Sequence, residues 1–443
     1  MAKETILDEY IRTHPKSQKL HEKAKELFAA DGVTHWCRLF SYYLPYMTHA
    51  EGTHLWDVDG NEYIDYVMGH GTLILGHNHP DVLKATQEQL VKGVHYSSNH
   101  ELEIEWAQLI KTMMPATERV EFFACGQEVN MMVHRLARAF TGRKKILRCE
   151  ESSFHGWADE LIVPGSTPGV ICEEVKIIPA HDLDALEREL ATEEYAVLTT
   201  EGGGAFIAGR VPWDPEFVRA QRGLTEKYGT VWHIDEVVTG FRDAPGGWQS
   251  TIGVTPDLTS LGKTVGGGIA CGALVGKAKI IDALKPKAPP ERFIRHSGTW
   301  NANPLVCAAG VAACKLFLGG KPQKKANELG AYFRKKGNQA LKERGISGRL
   351  YGRTAVHIYL GPIDFEPSDD TFPPTKDAAK LTTEVPDWHR LSLHLLQRGV
   401  STMGGKFFIL SSAHTKEDID RTITILCDSL DAMIVEGSLI IPS

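Results

Sequence analysis

The spacing of hydrophobic and polar positions changes along the chain and divides it into regions. Residues 1–30 are mostly polar and have helical spacing. Alternating apolar residues around Asp59-Gly60, in THLWDVDGNEYIDYV, predict a β-hairpin, because Asp-Gly favours tight turns between antiparallel strands. From about residue 80 to 320, helical patterns such as PDVLKATQEQLVKG alternate with apolar runs such as AVLTTE and TVWHIDEV. This alternation predicts a mostly parallel sheet covered by helices.

The pattern changes again towards the C-terminus. A basic helical stretch, KANELGAYFRKKGNQALKERG, precedes the apolar runs AVHIYL and KFFILSS and a last helix, KEDIDRTITILCDSLDAMI. We interpret this end as a smaller α+β domain. The Pro- and Asp-rich stretch 361–380 is the best candidate for a linker or flap.

Composition excludes several classes of protein. The 443 residues carry a net charge of −7, which gives no electrostatic drive towards nucleic acid or an anionic membrane. Eight cysteines without a CxxC pair favour a reducing compartment, and the 19 histidines do not suggest a metal site. The opening MAKETILDEY lacks the apolar core of a secretory signal, and no apolar run is long enough for a transmembrane helix. We expect a soluble, cytoplasmic protein without a metal.

A first candidate for chemistry lies in FFACGQEVNMMVHRLARAFTGR. An apolar strand leads through Cys125-Gly126-Gln127 into a helix with a regular apolar face. A glycine turn before a helix presents backbone N–H groups and the positive end of the helix dipole, which suits a phosphate. An ordinary strand-to-helix turn is the alternative.

Two further candidates follow in the alternating region. Asp235 ends the apolar run VWHIDE, where open α/β sheets place their ligands, and a protonated pyridine nitrogen is one partner for such a carboxylate. Lys263, in TSLGKTVGGG, lies between an apolar segment and glycines, and desolvation would make its amine a nucleophile. The alternatives are a turn-capping carboxylate and a lysine that extends to the surface.

Together these groups are the ones a protein contributes to pyridoxal phosphate (PLP) chemistry. DVDGNEYIDY, LGHNHP, NMMVHRLARAFTGRKKI, FHGW, DEVVTGFR, PDLTSLGKTVGGG and HSGTWNANP also occur in the order of one family. The chain resembles the class III aminotransferases of PLP fold type I, in the glutamate-1-semialdehyde aminomutase-like branch. The resemblance implies an α/β fold, a mainly parallel seven-stranded sheet and a homodimer with shared active sites. The large PLP-binding domain would be residues 76–325, and the small domain would combine residues 1–75 and 326–443.

The resemblance also assigns roles to individual residues. Lys263 would form the internal aldimine with PLP, and Asp235 would keep the pyridine nitrogen protonated. Val237 would pack under the ring and Phe154 would stack on its other face. Thr299 would reach the phosphate from the partner subunit.

Two departures from the family pattern lie near the cofactor. Gly126 and Gln127 would offer donors to the phosphate, but Cys125-Gly126-Gln127 replaces a typical Ser-Gly-Thr, so two hydroxyl groups are lost. We expect phosphate binding to depend more on backbone N–H groups. Glu201 matches the glutamate of the family's Glu-Pro motif, but Gly202 replaces the proline and loosens that loop.

Candidate substrate-binding residues lie in the N-terminal part of the chain. Arg38, in DGVTHWCRLF, matches an arginine that binds a substrate carboxylate in this branch, and bidentate pairing makes that role sensible. His70 lies where the branch often places a ring near the substrate. Trp36, Tyr42 and Tyr43 would extend an aromatic-lined pocket, with core packing as the alternative.

The resulting function prediction is a PLP-dependent aminotransferase that moves an amino group from an amino donor to a 2-oxo acid. An aminomutase or racemase that uses the same residues is the alternative, and a PLP-fold protein without activity is disfavoured by the Lys263–Asp235 pair. DGVTHWCRLF and MGHGTLILGHNHP resemble the D-phenylglycine aminotransferase type, so a D-arylglycine or a β-amino acid is the expected donor.

Overall fold

The computed structural model describes residues 4–34, 38, 40, 42–114, 116–150, 152–163, 166–170, 172–361 and 388–439. Within these residues the chain forms two compact units. The large unit is Pro80–Lys324, and the small unit combines the described residues up to His79 with those from Lys325 onward. The candidate linker 361–380, apart from its first residue, and Trp36 lie outside the described residues.

The secondary structure elements are numbered here in chain order. The strands are β1 (Met47–Glu51), β2 (His54–Asp57), β3 (Glu62–Asp65), β4 (Arg119–Phe123), β5 (Lys145–Cys149), β6 (Val175–Ile178), β7 (Tyr195–Glu201), β8 (Gly204–Ala205), β9 (Val211–Pro212), β10 (Val231–Glu236), β11 (Leu258–Gly262), β12 (Gly272–Gly276), β13 (Gly348–Gly352), β14 (Ala355–Leu360), β15 (Val400–Ser401) and β16 (Phe407–Ile409). The helices are α1 (Ile6–Thr13), α2 (Pro15–Leu27), α3 (Met68–Gly71), α4 (Pro80–Leu90), α5 (Glu101–Met113), α6 (Gly126–Thr141), α7 (Leu183–Leu190), α8 (Pro215–Lys227), α9 (Gly247–Thr251), α10 (Ala278–Ile281), α11 (Pro304–Phe317), α12 (Lys321–Glu343), α13 (Trp388–Gln397) and α14 (Lys416–Glu436).

The large unit is built on a seven-stranded sheet with the order β4-β12-β11-β10-β7-β5-β6. The strands from β11 to β6 run parallel to one another, whereas β12 is antiparallel to both of its neighbours. The predicted α/β fold with a mainly parallel seven-stranded sheet is therefore confirmed.

Both faces of this sheet are covered, which explains why apolar side chains occur on both faces of its strands. Successive side chains on the central strands belong to two different apolar clusters, because side chains alternate between the faces of a strand. One cluster contains Ile146, Val197 and Val231, and the other contains Leu147, Leu198 and Trp232.

Helices of the large unit begin at positions that the sequence specifies locally. The Asn303 side chain caps α11 by accepting the Val306 N–H, and Pro304 occupies the first helical position. Asp214 and Pro215 do the same for α8. A polar cap followed by proline favours helix initiation because it satisfies exposed backbone donors and fixes the first φ angle.

The small unit contains the predicted hairpin. β2 and β3 pair antiparallel around Asp59-Gly60, and Gly60 has a φ of 95° that favours glycine. The sheets β1-β2-β3-β15 and β13-β14-β16 belong to this unit. Its apolar cluster includes Tyr66, Phe333 and Phe408. The helical character predicted for residues 1–30 is also confirmed by α1 and α2.

The lengths and hydropathies of the helices can be compared with those of a membrane span within the part of the chain that the structure describes. No single helix there is long and apolar enough to cross a bilayer, and α11 and α12 meet that test only when taken together. Most of α11 is buried inside the large unit, which explains its apolar composition as core packing.

Candidate active site

Three neighbouring parallel strands end side by side at what we call the carboxyl edge of the large sheet. β7 ends at Glu201, and the register places Asp235 of β10 directly beside it. On the other side Asp235 pairs with Ser260 of β11, which ends at Gly262, immediately before Lys263. Ligands bind outside the carboxyl ends of strands in open α/β sheets, so these residues lie where a site is expected.

The Asp235 side chain is buried, and its carboxylate accepts four hydrogen bonds. His155 Nδ1 donates to Oδ2 at 2.6 Å and Asn130 Nδ2 donates to the same oxygen at 2.8 Å. The Val237 N–H and Ser260 Oγ donate to Oδ1 at 3.0 and 3.2 Å. Burial by itself would raise the pKa of Asp235, but His155 foremost, and the Val237 N–H to a smaller extent, lower it to about 2. Asp235 is therefore an anion with a fixed orientation.

Glu201 has the opposite electrostatic character. Its Oε2 accepts the backbone N–H groups of Phe154 at 3.0 Å and Phe206 at 2.9 Å. Burial and the nearby charge of Asp235 nevertheless raise the pKa of Glu201 to about 8, although the charge of Lys263 opposes that rise. Near neutral pH the carboxyl edge thus carries one ionised and one largely protonated carboxyl group.

Lys263 starts a single 3-10 turn, Lys263–Gly266, directly after β11. Its φ of 47° is left-handed, which costs a residue with a Cβ about 1–3 kcal/mol and persists only where the surroundings fix it. The side chain is half-buried, and its charge acts on Glu201. The apolar-to-glycine pattern around Lys263 thus corresponds to a buried strand and a tight turn that project an amine at the carboxyl edge.

The predicted phosphate turn lies at the start of α6. Cys125 is the N-cap of this 16-residue helix, and its side chain makes no capping hydrogen bond. A Cβ on Gly126 would lie 2.7 Å from both Cγ atoms of Val237, so only glycine allows this approach. Gly262 also lies against Val237, since a Cβ there would be 3.1 Å from its Cγ1. The turn, Val237 and the end of β11 are therefore packed together.

The loop that contains FHGW is tied to the same groups. In addition to the bonds of Phe154 and His155, the Trp157 N–H donates to Gln127 Oε1 at 2.7 Å. The rings of Phe154 and Trp157 are exposed and meet edge to face, with centroids 5.3 Å apart. The loop is thus anchored through its backbone while its aromatic rings face outward, and ring stacking by Phe154 stays a prediction.

The remaining predicted residues lie elsewhere. Thr299 is exposed, and its backbone oxygen accepts His95 Nε2 at 2.6 Å. Arg38 and His70 belong to the small unit, where Arg38 is exposed and His70 has a left-handed φ of 58°. Their contacts with substrate, and the contact of Thr299 with phosphate, stay predictions. Tyr42 and Tyr43 also belong to the small unit, whereas the predicted cofactor-binding residues other than Thr299 are brought together in the large unit.

Sequence reasoning missed several groups that hold Asp235 and its loop. His155, Asn130 and Ser260 donate to the carboxylate, and none of them had been given a role. Arg148 is fully buried and donates to the backbone oxygens of Ser153 and Leu161, at 2.9 and 2.8 Å. For Ser260 and Arg148 the available signal was a polar residue inside an apolar strand, because a buried polar group needs a partner. His155 lies in a loop and Asn130 in a helix, so that signal does not apply to them.

The residues at the carboxyl edge fit PLP. The Asp235 anion suits a protonated pyridine nitrogen, and the half-buried amine of Lys263 suits an aldehyde carbon. The start of α6 has no side-chain cap and suits a phosphate group. The three groups are held by adjacent elements that pack on Val237, so one ligand can engage all of them.

This sheet, with a buried carboxylate on β10 and an amine directly after the neighbouring strand β11, defines a PLP-dependent transferase of fold type I. The chain belongs to the class-III aminotransferases, whose family model matches residues 41–169 and 172–353. It is therefore an enzyme, and its cofactor is PLP, as predicted.

Individual relatives agree with this assignment. Glutamate-1-semialdehyde 2,1-aminomutase of Desulforudis audaxviator is 35% identical over 401 residues, covering 85% of this chain and 88% of its own length. An ω-transaminase from Sphaerobacter thermophilus superposes with a TM-score of 0.84 at 29% identity, covering 94% of this chain and 97% of its own. A β-phenylalanine aminotransferase from Variovorax paradoxus gives a TM-score of 0.86 at 26% identity, covering 97% of both chains.

Proposed function

We propose that this enzyme is an aminotransferase that moves an amino group between an amino acid and a 2-oxo acid. The observation that carries the proposal is the ionised, fourfold hydrogen-bonded Asp235 on the strand beside Lys263. Two structural relatives named as transaminases support transfer between two substrates. The sequence relative named as an aminomutase favours the second candidate, an aminomutase or racemase at the same site.

The proposed amino donor is a D-arylglycine or a β-amino acid. One structural relative is named for β-phenylalanine, which combines an aryl group with a β-amino group. The exposed rings of Phe154 and Trp157 offer aromatic surface near the carboxyl edge. Arg38 would bind the substrate carboxylate through its two-pronged guanidinium, and His70 would contact the substrate beside it.

When bound, PLP supplies a ring that accepts the electron pair left on the substrate carbon. Asp235 would hold the proton at the pyridine nitrogen, because its carboxylate stays ionised over the physiological range. Val237 and Phe154 would enclose the two faces of the ring. Backbone N–H groups of Gly126 and Gln127, with the Gln127 amide, would bind the phosphate.

Lys263 would hold the aldehyde carbon covalently and then act as the acid–base group. Its Nζ would take the proton from the α-carbon of the substrate and return a proton to the carbon that carries the transferred nitrogen. In a racemase the proton would instead return to the opposite face of the same substrate carbon. In an aminomutase the nitrogen would leave one carbon and be returned to another carbon of the same molecule, so the amine would move a proton at each of the two carbons. Glu201 is largely protonated near neutral pH and so adds little negative charge beside Asp235.

We further propose a cytoplasmic homodimer in which the phosphate in each active site is bound by Thr299 of the partner subunit. Thr299 and the neighbouring Trp300 are exposed in the single chain, as an interface segment requires. The described cysteines are free thiols, which supports a reducing compartment.

A half-reaction with one substrate tests the reaction type. The purified enzyme is mixed with D-phenylglycine, β-phenylalanine or glutamate, without any oxo acid, and both cofactor absorbance and keto-acid product are followed. An aminotransferase should lose the aldehyde absorbance lastingly and release one oxo acid per site, and 2-oxoglutarate or pyruvate should restore it. Recovery of the absorbance without an oxo acid, with an isomerised substrate, would favour the aminomutase or racemase.

Two variants test the assigned roles in the same assay. Lys263→Ala should abolish turnover, and borohydride should fix the cofactor covalently only in the parent. Asp235→Ala should keep the fold but slow turnover by several orders of magnitude, about 3–5 kcal/mol in the barrier. A label on another lysine, or near-normal activity of the Asp235 variant, would contradict the proposal.

A further inference from the structure

A row of buried polar side chains crosses three strands behind Asp235. Thr199 of β7 is the register neighbour of His233 of β10, and Ser260 of β11 is the register neighbour of Asp235. His233 and Asp235 are two residues apart and so share one face of β10. Thr199, His233 and Ser260 are all almost completely buried. We call these three residues the polar row.

Hydrogen bonds connect the polar row to the carboxylate. Ser260 Oγ lies 3.2 Å from Asp235 Oδ1, and His233 Nε2 lies 3.0 Å from Ser260 Oγ. On the far side of the imidazole, Thr199 Oγ1 lies 3.3 Å from His233 Nδ1. His134 Nε2, on α6, lies a further 3.5 Å from Thr199 Oγ1, at the limit of a weak hydrogen bond.

The direction of every proton in the polar row follows from the carboxylate. An ionised carboxylate can only accept, so the Ser260 hydroxyl donates to Asp235. The proton between Ser260 and His233 must then belong to Nε2. Burial lowers the pKa of His233 to about 3, so its ring is neutral and has a single N–H. Nδ1 is therefore an acceptor, and Thr199 donates to it.

Donors that point at a carboxylate stabilise its charged form and reduce its affinity for a proton. Burial of Asp235 acts in the opposite direction. His155 and Asn130 offset burial at Oδ2, whereas the polar row and the Val237 N–H do so at Oδ1. The polar row polarises the Ser260 hydroxyl in particular, because each hydrogen bond in a chain strengthens the next one.

We propose that Ser260, His233 and Thr199 are positioning residues that keep the proton between Asp235 and the pyridine nitrogen of PLP on the nitrogen. The inference rests on the proposed role of Asp235 as the partner of that nitrogen. Without the polar row, the carboxylate becomes more basic and the shared proton moves towards it. The ring then withdraws electrons less strongly, and the reaction slows.

The test uses holoenzyme loaded with PLP that carries ¹⁵N in its ring, because the ¹⁵N NMR shift reports whether that nitrogen is protonated. Ser260→Ala and Thr199→Val should both move the shift towards the neutral-ring value, and Ser260→Ala should move it further. We expect kcat to fall about ten- to a hundredfold for Ser260→Ala and about two- to tenfold for Thr199→Val. Thr200→Val is the matched control, since Thr200 is equally buried on the same strand but donates to Gln221 instead.

His233 provides a rescue experiment. His233→Gln keeps one acceptor and one donor for its two neighbours and should retain most of the parent shift, whereas His233→Leu should lose it. Unchanged shifts in both Ser260→Ala and Thr199→Val, or an equal change in Thr200→Val, would overturn the inference. Asp235→Asn distinguishes a failure of this inference from a failure of the proposed role of Asp235. If the ¹⁵N shift moves in Asp235→Asn but in none of the polar-row variants, only this inference is rejected. No change in Asp235→Asn itself would reject the role of Asp235.

Discussion

Asp235 and Glu201 show how strongly the chemistry of one side chain depends on its neighbours. Both are buried carboxyl groups at register-paired positions of adjacent strands. Asp235 accepts four hydrogen bonds, three of them from side chains, and its pKa is lowered to about 2. Glu201 accepts only two backbone N–H groups. Burial and the negative charge of Asp235 raise its pKa to about 8. Equal burial therefore produces opposite charge states.

Gly126→Ala tests the close packing of the phosphate turn on Val237. The added Cβ would lie 2.7 Å from two carbon atoms of Val237, so the turn must shift and we expect PLP to bind at least tenfold more weakly, about 1.4 kcal/mol. Affinity is measured by titrating apoenzyme with PLP and following cofactor fluorescence. Gly126→Ala combined with Val237→Ala should recover part of the loss. Gly223→Ala, where a Cβ meets nothing within 4 Å, is the control, and an equal loss there would contradict the steric explanation.

At the level of elements, the start of α6 combines a structural and a binding task. Its first backbone N–H groups need acceptors, and a bound phosphate would provide them. Cys125 contributes little to either task, because a thiol is a weak donor and makes no capping bond here. A residue with a hydroxyl group at position 125 would therefore cap the helix better and donate a stronger hydrogen bond to the phosphate.

Cys125→Ser should therefore improve both properties. A serine N-cap stabilises a helix by about 0.5–2 kcal/mol, and its hydroxyl can donate to phosphate. We expect tighter PLP binding in the fluorescence titration and a higher unfolding temperature in the apoenzyme. Cys125→Ala should bind PLP as the parent does. A large loss in Cys125→Ala would show that the thiol already makes an important contact.

For the whole molecule, buried titratable groups determine how stability depends on pH. Burial lowers the pKa values of His134, His155 and His233. The native state therefore takes up protons on these rings less readily than the unfolded chain does. Their contribution to the free energy of unfolding is complete above pH 6.5 and is lost as pH falls. The pKa of Glu201 is raised from 4.5 to about 8, so the native state keeps a proton that the unfolded chain has released. The contribution of Glu201 to stability therefore falls as pH rises from 4.5 to about 8. Glu236, with a pKa raised to about 7 by burial, acts in the same direction.

Between pH 6.5 and 8 the glutamate contribution dominates, so the unfolding temperature should fall as pH rises. For Glu201 the loss across this window is up to about 2 kcal/mol. Glu201→Gln cannot ionise in either state and should flatten the decline, as measured by calorimetry at several pH values. Identical slopes in the parent and in the variant would contradict a raised pKa at Glu201.

Assembly is the other property of the whole molecule that can be tested. If Thr299 of the partner subunit binds the phosphate, Thr299→Ala should raise the PLP dissociation constant about ten- to a hundredfold, the value of one hydrogen bond to a charged group. Cofactor occupancy should also fall on dilution as subunits separate. Ser297→Ala, which removes an exposed hydroxyl two residues earlier, is the control. Equal occupancy of parent and Thr299 variant at every protein concentration would reject the shared site.

Local pattern in the sequence determined much of this protein. The Asp59-Gly60 hairpin, the strand–turn–helix around Gly126 and the sheet of apolar strands follow from turn chemistry and side-chain periodicity, which act over a few residues. Asp235 and Lys263 could be singled out because a charged residue beside a buried apolar run is costly without a partner.

Only the tertiary structure decided which groups those residues meet. His155, Asn130 and Ser260 converge on Asp235 from a loop, a helix and a neighbouring strand, up to 105 positions away in the sequence. The register of the parallel strands places Ser260 beside Asp235, and the packing of the helix and the loop brings Asn130 and His155 to the same carboxylate. No local pattern specifies register or packing between segments so far apart. The charge states of Asp235 and Glu201 follow from it, because a pKa depends on burial, on donors and on nearby charge, all of which arise only when distant strands pack together.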